Sequence, residues 1–255
     1  MAPFSLQHIK ALKQENSHRL AGLAGSTKER TRKVHTLPAY DGSRPVCIAE
    51  IKKASPTEGA IRQVDPSRQA AAYIAAGASA VSVLVDDTYF SGSLEDLRQV
   101  TSRVDAPVLC KEFVCTREQV DAAYLAGADL VLLIAKMLDD HELADLYGYT
   151  ASLGTSPLVE IHEEGELERV LPLSPQMLMV NMRNLDTLTI DMETGIAALK
   201  AIPQSIRTIS ASGINSRQDV NRVMEQTGCG TFLVGTALMK THTPALLLKE
   251  LTHAC

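Results

Sequence analysis

Apolar residues along this chain fall into short runs that alternate with longer segments of helical period. From about residue 46 the runs are rich in β-branched residues, and each is followed by a helix candidate such as PSRQAAAYIAAGA or TREQVDAAYLAGA. This alternation is typical of βα units around a parallel sheet. The strand candidates, in chain order, are VCIAEI from Val46, SAVSVL from Ser79, APVLCK from Ala106, DLVLLI from Asp129, SPLVEI from Ser156, QMLMVN from Gln176, IRTISA from Ile206 and GTFLVG from Gly230.

Eight such units favour a (β/α)8 TIM barrel, although an open doubly wound sheet gives a similar local pattern. The length of 255 residues is close to that of a one-domain barrel. Residues 1–45 precede the repeat: residues 5–24 predict an amphipathic helix, and the segment through Lys28, Arg30, Arg32 and Lys33 predicts a charged loop. Because this segment is too short to bury a core alone, we expect a helical extension packed on a barrel domain of residues 46–255.

Composition narrows the class of protein. Apolar residues make up 45% of the chain and charged residues 22%, as in an ordinary globular protein. The formal net charge of -5 gives no overall attraction for nucleic acid or anionic lipid, so an anionic ligand needs a local cationic cluster. The amino terminus lacks the apolar core of a signal peptide, and no run approaches the roughly 20 apolar residues of a membrane span. We therefore expect a cytoplasmic protein that binds neither nucleic acid nor membrane.

The cysteines indicate neither a disulfide framework nor a metal site. Their number is odd, and they lack the CxxC or Cys/His spacing of zinc ligands. A reducing compartment fits this usage best. The cysteines are Cys47, Cys110, Cys115, Cys229 and Cys255.

Charged and polar residues end most of the predicted strands. A barrel strand is covered on both sides, so a charge at its carboxyl end needs an explanation. Rim ion pairs that only cap the barrel are one alternative, but they have no reason to cluster at one end of several strands. In a barrel these ends surround one mouth, where the active sites of this fold lie. The residues are Glu50, Lys52, Lys111, Glu112, Glu160, Asn181 and Arg183, followed by the small polar turns Ser210–Gly213 and Gly235–Thr236.

The last two turns predict a phosphate site. Gly213 and Gly235 each follow a strand and open onto a polar helix start. Backbone NH groups at such starts bind phosphate, and this fold often places a phosphate site after its seventh and eighth strands. The sequence therefore predicts a small phosphorylated substrate.

At these same residues the chain resembles the indole-3-glycerol-phosphate synthase family. The most specific part is IAEIKKASPTEGAIR at residues 48–62, joined in order by SVLVDDTYFSGSLEDL, PVLCKEF, GADLVLLIA, LVEIHEEGEL, VNMRNLDTLTID, SGI and LVGTALM. The resemblance implies a carboxy-lyase of tryptophan biosynthesis. Its substrate, 1-(2-carboxyphenylamino)-1-deoxyribulose 5-phosphate, is cyclised, decarboxylated and dehydrated without metal or coenzyme. Whether the chain works beside other tryptophan-pathway enzymes stays open.

The resemblance also implies roles for individual residues. Lys111 matches the general acid, Glu50 the carboxylate that orients its ammonium, and Glu160 the general base. Phe90, in the loop after the second strand, either lines an anthranilate-sized pocket or packs locally. His162 shares strand parity with Glu160, which gives entry into the mouth as one alternative, but for a loop histidine at a helix start we expect a capping or solvated side chain. Lys52 matches a further position of the site and is counted with the catalytic residues. The matches around the body of the substrate are Ser55, Asn181, Arg183 and Ser212. Those expected at the phosphate are Gly213, Gly235 and Thr236.

Two positions depart from the family pattern, Met182, which should point away from the ligand, and Ala211, which matters more. The family usually reads ESGI where this chain has Ala211-Ser212-Gly213-Ile214, so a carboxylate of the mouth is replaced by a methyl group. Two alternatives therefore stay open. One is another phosphate-binding barrel enzyme, such as an isomerase of phosphoribosyl anthranilate or a paralogue for a related aryl-amino sugar phosphate. The other is a non-catalytic relative that binds a metabolite or a protein, although such a relative has no chemical need to keep the complete acid, base and cationic residues.

Overall fold

A computed structural model describes residues 4–24 and 30–253, and its central feature is a closed barrel of eight parallel strands. Each strand pairs with the next in the chain, and the first also pairs with the eighth through Val46 and Thr231. The predicted fold class is confirmed, and every predicted strand begins within two residues of an observed one. The strands are β1 (Val46–Ile51), β2 (Ala80–Leu84), β3 (Val108–Lys111), β4 (Leu130–Ile134), β5 (Ser156–Ile161), β6 (Met177–Asn181), β7 (Arg207–Ala211) and β8 (Thr231–Val234).

The strands are apolar because both of their faces are covered. Every residue of β1, β2, β4, β6 and β8 is buried. Inward side chains fill the barrel and outward ones meet the surrounding helices, so each strand is a continuous apolar run rather than an alternating one.

The helices begin and end at residues suited to those places. The Asp65 carboxylate accepts hydrogen bonds from the backbone NH groups of Ser67 and Arg68 at the start of the helix that follows β1. That helix ends before Gly77, whose φ of +103° is left-handed. The helices are α1 (Leu6–Ala24), α2 (Pro66–Ala75), α3 (Leu94–Arg103), α4 (Arg117–Leu125), α5 (Asp140–Ser152), α6 (Leu167–Val170), α7 (Met192–Ala201), α8 (Arg217–Thr227), α9 (Thr236–Lys240) and α10 (Pro244–Thr252).

The segment before the barrel contacts it at the mouth. Helix α1 packs against α4, and its Lys13 ammonium lies 2.8 Å from an Asp86 oxygen and 2.9 Å from a Glu112 oxygen. Both carboxylates follow the carboxyl ends of barrel strands. They raise the pKa of Lys13 although burial opposes them, so the lysine stays charged.

The same segment also contacts the opposite end of the barrel. The guanidinium groups of Arg30 and Arg32 both bind the carboxylate of Asp129, which is fully buried at the start of β4. Asp129 also accepts the backbone NH of Val108. The boundary between residues 1–45 and 46–255 stays a prediction, and Lys28 and Cys255 lie outside the described residues. No helix in the described part of the chain is long and apolar enough to cross a membrane.

Candidate active site

A cavity of about 290 Å³ lies at the carboxyl ends of the strands. Strand ends, the loops behind them and the first residues of α9 form its wall, in agreement with the place where this fold carries its active sites. All the residues predicted for the site line this one cavity. They are Glu50, Lys52, Ser55, Phe90, Lys111, Glu160, Asn181, Arg183, Ser212, Gly213, Gly235 and Thr236.

Lys111 and Glu160 form an ion pair in the wall of the cavity. Lys111 ends β3, and its Nζ donates to Glu160 Oε2 at 3.1 Å across the barrel. The other oxygen, Oε1, accepts a hydrogen bond of 3.0 Å from Asn181 Nδ2. Glu160 is 1% exposed, so these neighbours replace water around its charge.

The two groups keep each other charged. Burial lowers the pKa of Lys111, but the carboxylates of Glu160 and Glu50 outweigh it and leave that pKa raised. Burial would raise the pKa of Glu160, whereas Lys111, His162 and Asn181 together hold it well below its usual value. The site therefore holds a protonated donor and an ionised acceptor side by side at neutral pH.

Asn181 connects this pair to the turn after β7. Its Oδ1 accepts hydrogen bonds from Ser212 Oγ at 2.8 Å and from the Arg183 backbone NH at 3.1 Å. Ser212 has a φ of 65° and Gly213 a φ of 79°, so two successive residues are left-handed. This conformation is unfavourable for serine, and the bond to Asn181 helps to maintain it. The Arg183 guanidinium donates to the Leu188 carbonyl at 2.6 Å, within its own loop.

Glu50 and Lys52 form a second ion pair, with Lys52 Nζ 2.9 Å from Glu50 Oε1. The shared strand parity of Glu50 and Lys52 predicts such a pair. Strand parity turns Glu50 and Lys52 to the same side, so the lysine two residues along takes the contact, and Glu50 acts on Lys111 only through its charge. Glu50 also abuts Gly235, where a Cβ atom would overlap its Oε1.

Gly235→Ala is therefore expected to push the Glu50 carboxylate out of place. Overlap with a packed group costs about 1 to 3 kcal/mol, and turnover should fall because Lys52 loses its anionic partner and Lys111 loses one of the two carboxylates that raise its pKa. Chemical denaturation and steady-state kinetics measure the two effects. Gly148→Ala in α5 is the control, because open space surrounds that position and alanine favours a helix. Parental stability and turnover in Gly235→Ala would contradict the requirement for glycine.

Two loops complete the wall on the side of β1 and β2. Ser55 Oγ accepts the backbone NH of Glu58 at 3.2 Å in a short hairpin of residues 54–60. The Phe90 carbonyl accepts the backbone NH of Ala54 at 3.2 Å, and the Phe90 ring lies 6.1 Å from that of Phe113. Phe90 thus lines the cavity and also packs locally.

Sequence reasoning missed part of the wall. Glu58 and Lys240 form an ion pair of 2.6 Å across the rim, and both line the cavity. Phe4, whose ring lies 5.3 Å from that of Tyr89, brings the segment before the barrel to the same wall. Residues so far apart in the chain carry no shared pattern, although Glu58 lies within the most specific motif.

His162 is neither solvated nor in the cavity wall, and the expectation of a capping or solvated histidine is wrong. It is 9% exposed, with Nε2 3.4 Å from Glu160 Oε1 and Nδ1 3.6 Å from Glu166 Oε2. The capping residue is Glu163 instead, and the Glu166 carboxylate accepts the backbone NH groups of Glu163 and His162, the latter at 2.6 Å. The parity that residues 160 and 162 share gives entry into the mouth as the alternative prediction, but the imidazole lies beside Glu160 and outside the cavity wall.

Comparison with known proteins gives one consistent family. The sequence model of the family described as indole-3-glycerol phosphate synthase matches residues 4–251. A protein of that name from Exiguobacterium sibiricum is 44% identical over 199 residues, which is 78% of this chain and 77% of the relative. Another, from Staphylococcus haemolyticus, is 37% identical over 250 residues, which is 96% of this chain and 90% of the relative.

Similar solved structures have the same barrel and little sequence identity. The 3-hexulose-6-phosphate synthase from Salmonella typhimurium has a TM-score of 0.64 at 14% identity, over 81% of this chain and 96% of that one. The N-acetylmannosamine-6-phosphate 2-epimerase from Clostridium perfringens has a TM-score of 0.60 at 15% identity, over 80% of this chain and 93% of that one. At this identity the likeness shows the fold alone.

Proposed function

This chain belongs to the indole-3-glycerol phosphate synthase family, and from its geometry we propose which residues perform the reaction. The chain is a carboxy-lyase of tryptophan biosynthesis, and its substrate is a small phosphorylated molecule. The reaction closes the indole ring of 1-(2-carboxyphenylamino)-1-deoxyribulose 5-phosphate with loss of carbon dioxide and water. It needs a proton donor to the ketone, a base for the dehydration and cationic groups for the carboxylate and the phosphate.

Lys111 is the proposed donor and Glu160 the proposed base. The observation that carries this assignment is their ion pair of 3.1 Å in the cavity wall, with the pKa of each shifted towards its charged form. Lys111 donates its proton to the substrate ketone as the aromatic carbon attacks. The hydroxyl formed in that step leaves as water with a proton from the Lys52 ammonium, and Glu160, released from its ion pair with Lys111, accepts the proton that the ring carbon loses.

The other polar groups bind and orient. Lys52 and Arg183 provide positive charge for the substrate carboxylate, and Glu50 keeps Lys52 in place through their 2.9 Å contact. Asn181 fixes the Glu160 carboxylate through its hydrogen bond of 3.0 Å. Ser55, Phe90 and Ser212 contact the body of the substrate from the cavity wall.

The phosphate is proposed to bind at the turns after β7 and β8. Gly213, Gly235 and Thr236 line the same end of the cavity wall, and they present backbone NH groups where this fold commonly binds phosphate. Lys240 lies on the same side and adds positive charge.

The direct test is turnover. Purified protein is incubated with 1-(2-carboxyphenylamino)-1-deoxyribulose 5-phosphate, and the fluorescence of the indole product is followed. Product formation at a rate proportional to protein supports the function. Phosphate-ligand binding without product would instead favour an enzyme for a related aryl-amino sugar phosphate.

Ala211→Glu should raise turnover on this substrate by about tenfold to a hundredfold. Residue 211 lines the cavity and is in register with Asn181 of the neighbouring strand, so a carboxylate there enters the mouth. Near Lys52 or Lys111 it would orient an ammonium and stabilise positive charge on the substrate, an effect of about 1 to 3 kcal/mol.

Ala211→Gln is the matched control, because it adds the same volume without charge. An equal increase in turnover in both variants would show that the effect comes from the volume of the side chain and not from its charge. A lower rate with intact folding would show that the mouth is adapted to alanine, in favour of a different aryl-amino sugar phosphate.

A further inference from the structure

A buried histidine lies directly behind the proposed base. His162 Nε2 is 3.4 Å from Glu160 Oε1, and its Nδ1 is 3.6 Å from Glu166 Oε2. The imidazole is 9% exposed and is not part of the cavity wall. It can therefore influence the substrate only through Glu160.

The side chains form a row of alternating charge that runs from the cavity into the protein. Lys111 contacts one oxygen of Glu160, His162 approaches the other, and Glu166 lies behind His162. Glu166 is 8% exposed. Besides lying next to the His162 imidazole, its carboxylate accepts hydrogen bonds from the backbone NH groups of residues 162 and 163. A positive imidazolium has a carboxylate on each side, whereas a neutral imidazole would leave two buried carboxylates close together.

Other charges near the histidine are turned to solvent. The charged side chains of the turn after β5 are exposed, and so are those of helix α7, which packs against this turn. Two cations on adjacent elements form ion pairs with other carboxylates. The exposed residues are Glu163, Glu164, Glu168, Glu193 and Lys200. The paired cations are Arg169 with Asp140 and Lys136 with Asp186.

We propose that His162 is a positioning residue for the reaction, acting as an imidazolium that orients the Glu160 carboxylate and keeps it ionised from outside the cavity. The inference rests on the proposed function, because it gives His162 a role only if Glu160 is the base. Two neighbours already orient Glu160 from the cavity side, namely Lys111 and Asn181. When Lys111 gives up its proton, its positive charge is lost, and His162 then provides the remaining positive charge beside the carboxylate.

The pKa values agree with this geometry. Burial lowers the pKa of His162, but Glu160 and Glu166 outweigh it and raise the pKa to about 9. The pKa of His162 in the folded protein exceeds the unfolded value of about 6.5. Protonation of His162 therefore adds to the free energy of unfolding, and this contribution is complete at pH values below about 6.5. This contribution is lost as the pH rises through about 9. Turnover should decline over the same upper range, because Glu160 then loses its cationic neighbour.

Two variants test the proposal separately. His162→Gln keeps a polar side chain without charge, and Glu166→Gln keeps an acceptor for the His162 backbone NH while removing the anion behind the imidazole. His141→Gln, an exposed histidine of α5, is the control. The measurements are kcat and KM from pH 5 to 10, and the free energy of unfolding over the same range.

His162→Gln should lower kcat by roughly tenfold to a hundredfold with little change in KM, the usual effect of losing an outer partner. Its kcat should also lack the alkaline decline near pH 9 that loss of the imidazolium proton gives the parent. The free energy of unfolding of the parent should fall as the pH rises towards 9, and that of His162→Gln should not show this fall. Glu166→Gln should move the alkaline limb of kcat to lower pH, since the imidazolium loses one of its carboxylates. His141→Gln should behave as the parent.

A His162→Gln protein with parental kcat and an unshifted pH profile would overturn the inference. A loss of kcat without any shift of the pH limbs would overturn it too, because it would indicate a merely structural role. Glu160→Gln separates the two levels of the hypothesis. If Glu160→Gln is inactive and His162→Gln is normal, only the role of His162 fails; if Glu160→Gln is fully active, the proposed function of the base fails first.

Discussion

Lys111→Ala is expected to lower kcat by roughly 10²-fold to 10⁴-fold, with a smaller change in KM. Lys111 is the cation in contact with the Glu160 carboxylate at the cavity wall, and its pKa is raised, so it carries the proton that the ketone must receive. Alanine removes the donor and leaves the cationic groups at Lys52 and Arg183 unchanged. Steady-state kinetics with the fluorescent indole product measure the loss.

Lys136→Ala is the matched control for this variant. Lys136 follows β4 at the same end of the barrel and pairs with Asp186, but it does not line the cavity. We expect parental kinetics from it. Turnover of Lys111→Ala within a factor of two of the parent would remove Lys111 from the role of acid.

Glu160→Gln should bind the phosphorylated substrate and then stall after ring closure, with kcat lowered by roughly 10²-fold or more. The amide keeps the shape of the side chain and can still contact Asn181, but it cannot accept the proton released in the dehydration. Rapid quenching of a single turnover should show an intermediate or unreacted substrate where the parent shows indole product.

Glu164→Gln is the control, because Glu164 is exposed in the turn after the same strand. Binding of inorganic phosphate should be equal in both variants and the parent. Normal multiple-turnover kinetics in Glu160→Gln would show that another group accepts the proton.

The strands, their order and the end of the barrel that carries the site could be predicted from the sequence. Parallel barrel strands must be apolar on both faces, so a charge such as Lys111 or Glu160 at the end of a run is conspicuous, and a closed barrel brings all such ends together. This reasoning needs only local pattern and topology. It locates the residues of the site without measuring any distance between them.

The partners of these residues could not be predicted in the same way. Strand parity shows which side a residue faces, but the distance across the barrel depends on how the strands are staggered around it. The resemblance implies that Glu50 orients Lys111, whereas the ion pair of Glu50 is with Lys52, the residue that parity places on the same side. Parity places His162 on the side of Glu160, but the contact between Glu58 and Lys240 depends on loop conformations that no periodicity describes.

The contacts of the segment before the barrel have a consequence for the order in which the protein is made. Lys13, Arg30 and Arg32 bind Asp86, Glu112 and Asp129, which all belong to the first half of the barrel. These partners emerge from the ribosome before β5 does. We therefore expect these ion pairs to form before the barrel closes. They would stabilise the nascent half barrel at the stage when the unpaired edges of β1 and β4 make it prone to aggregate.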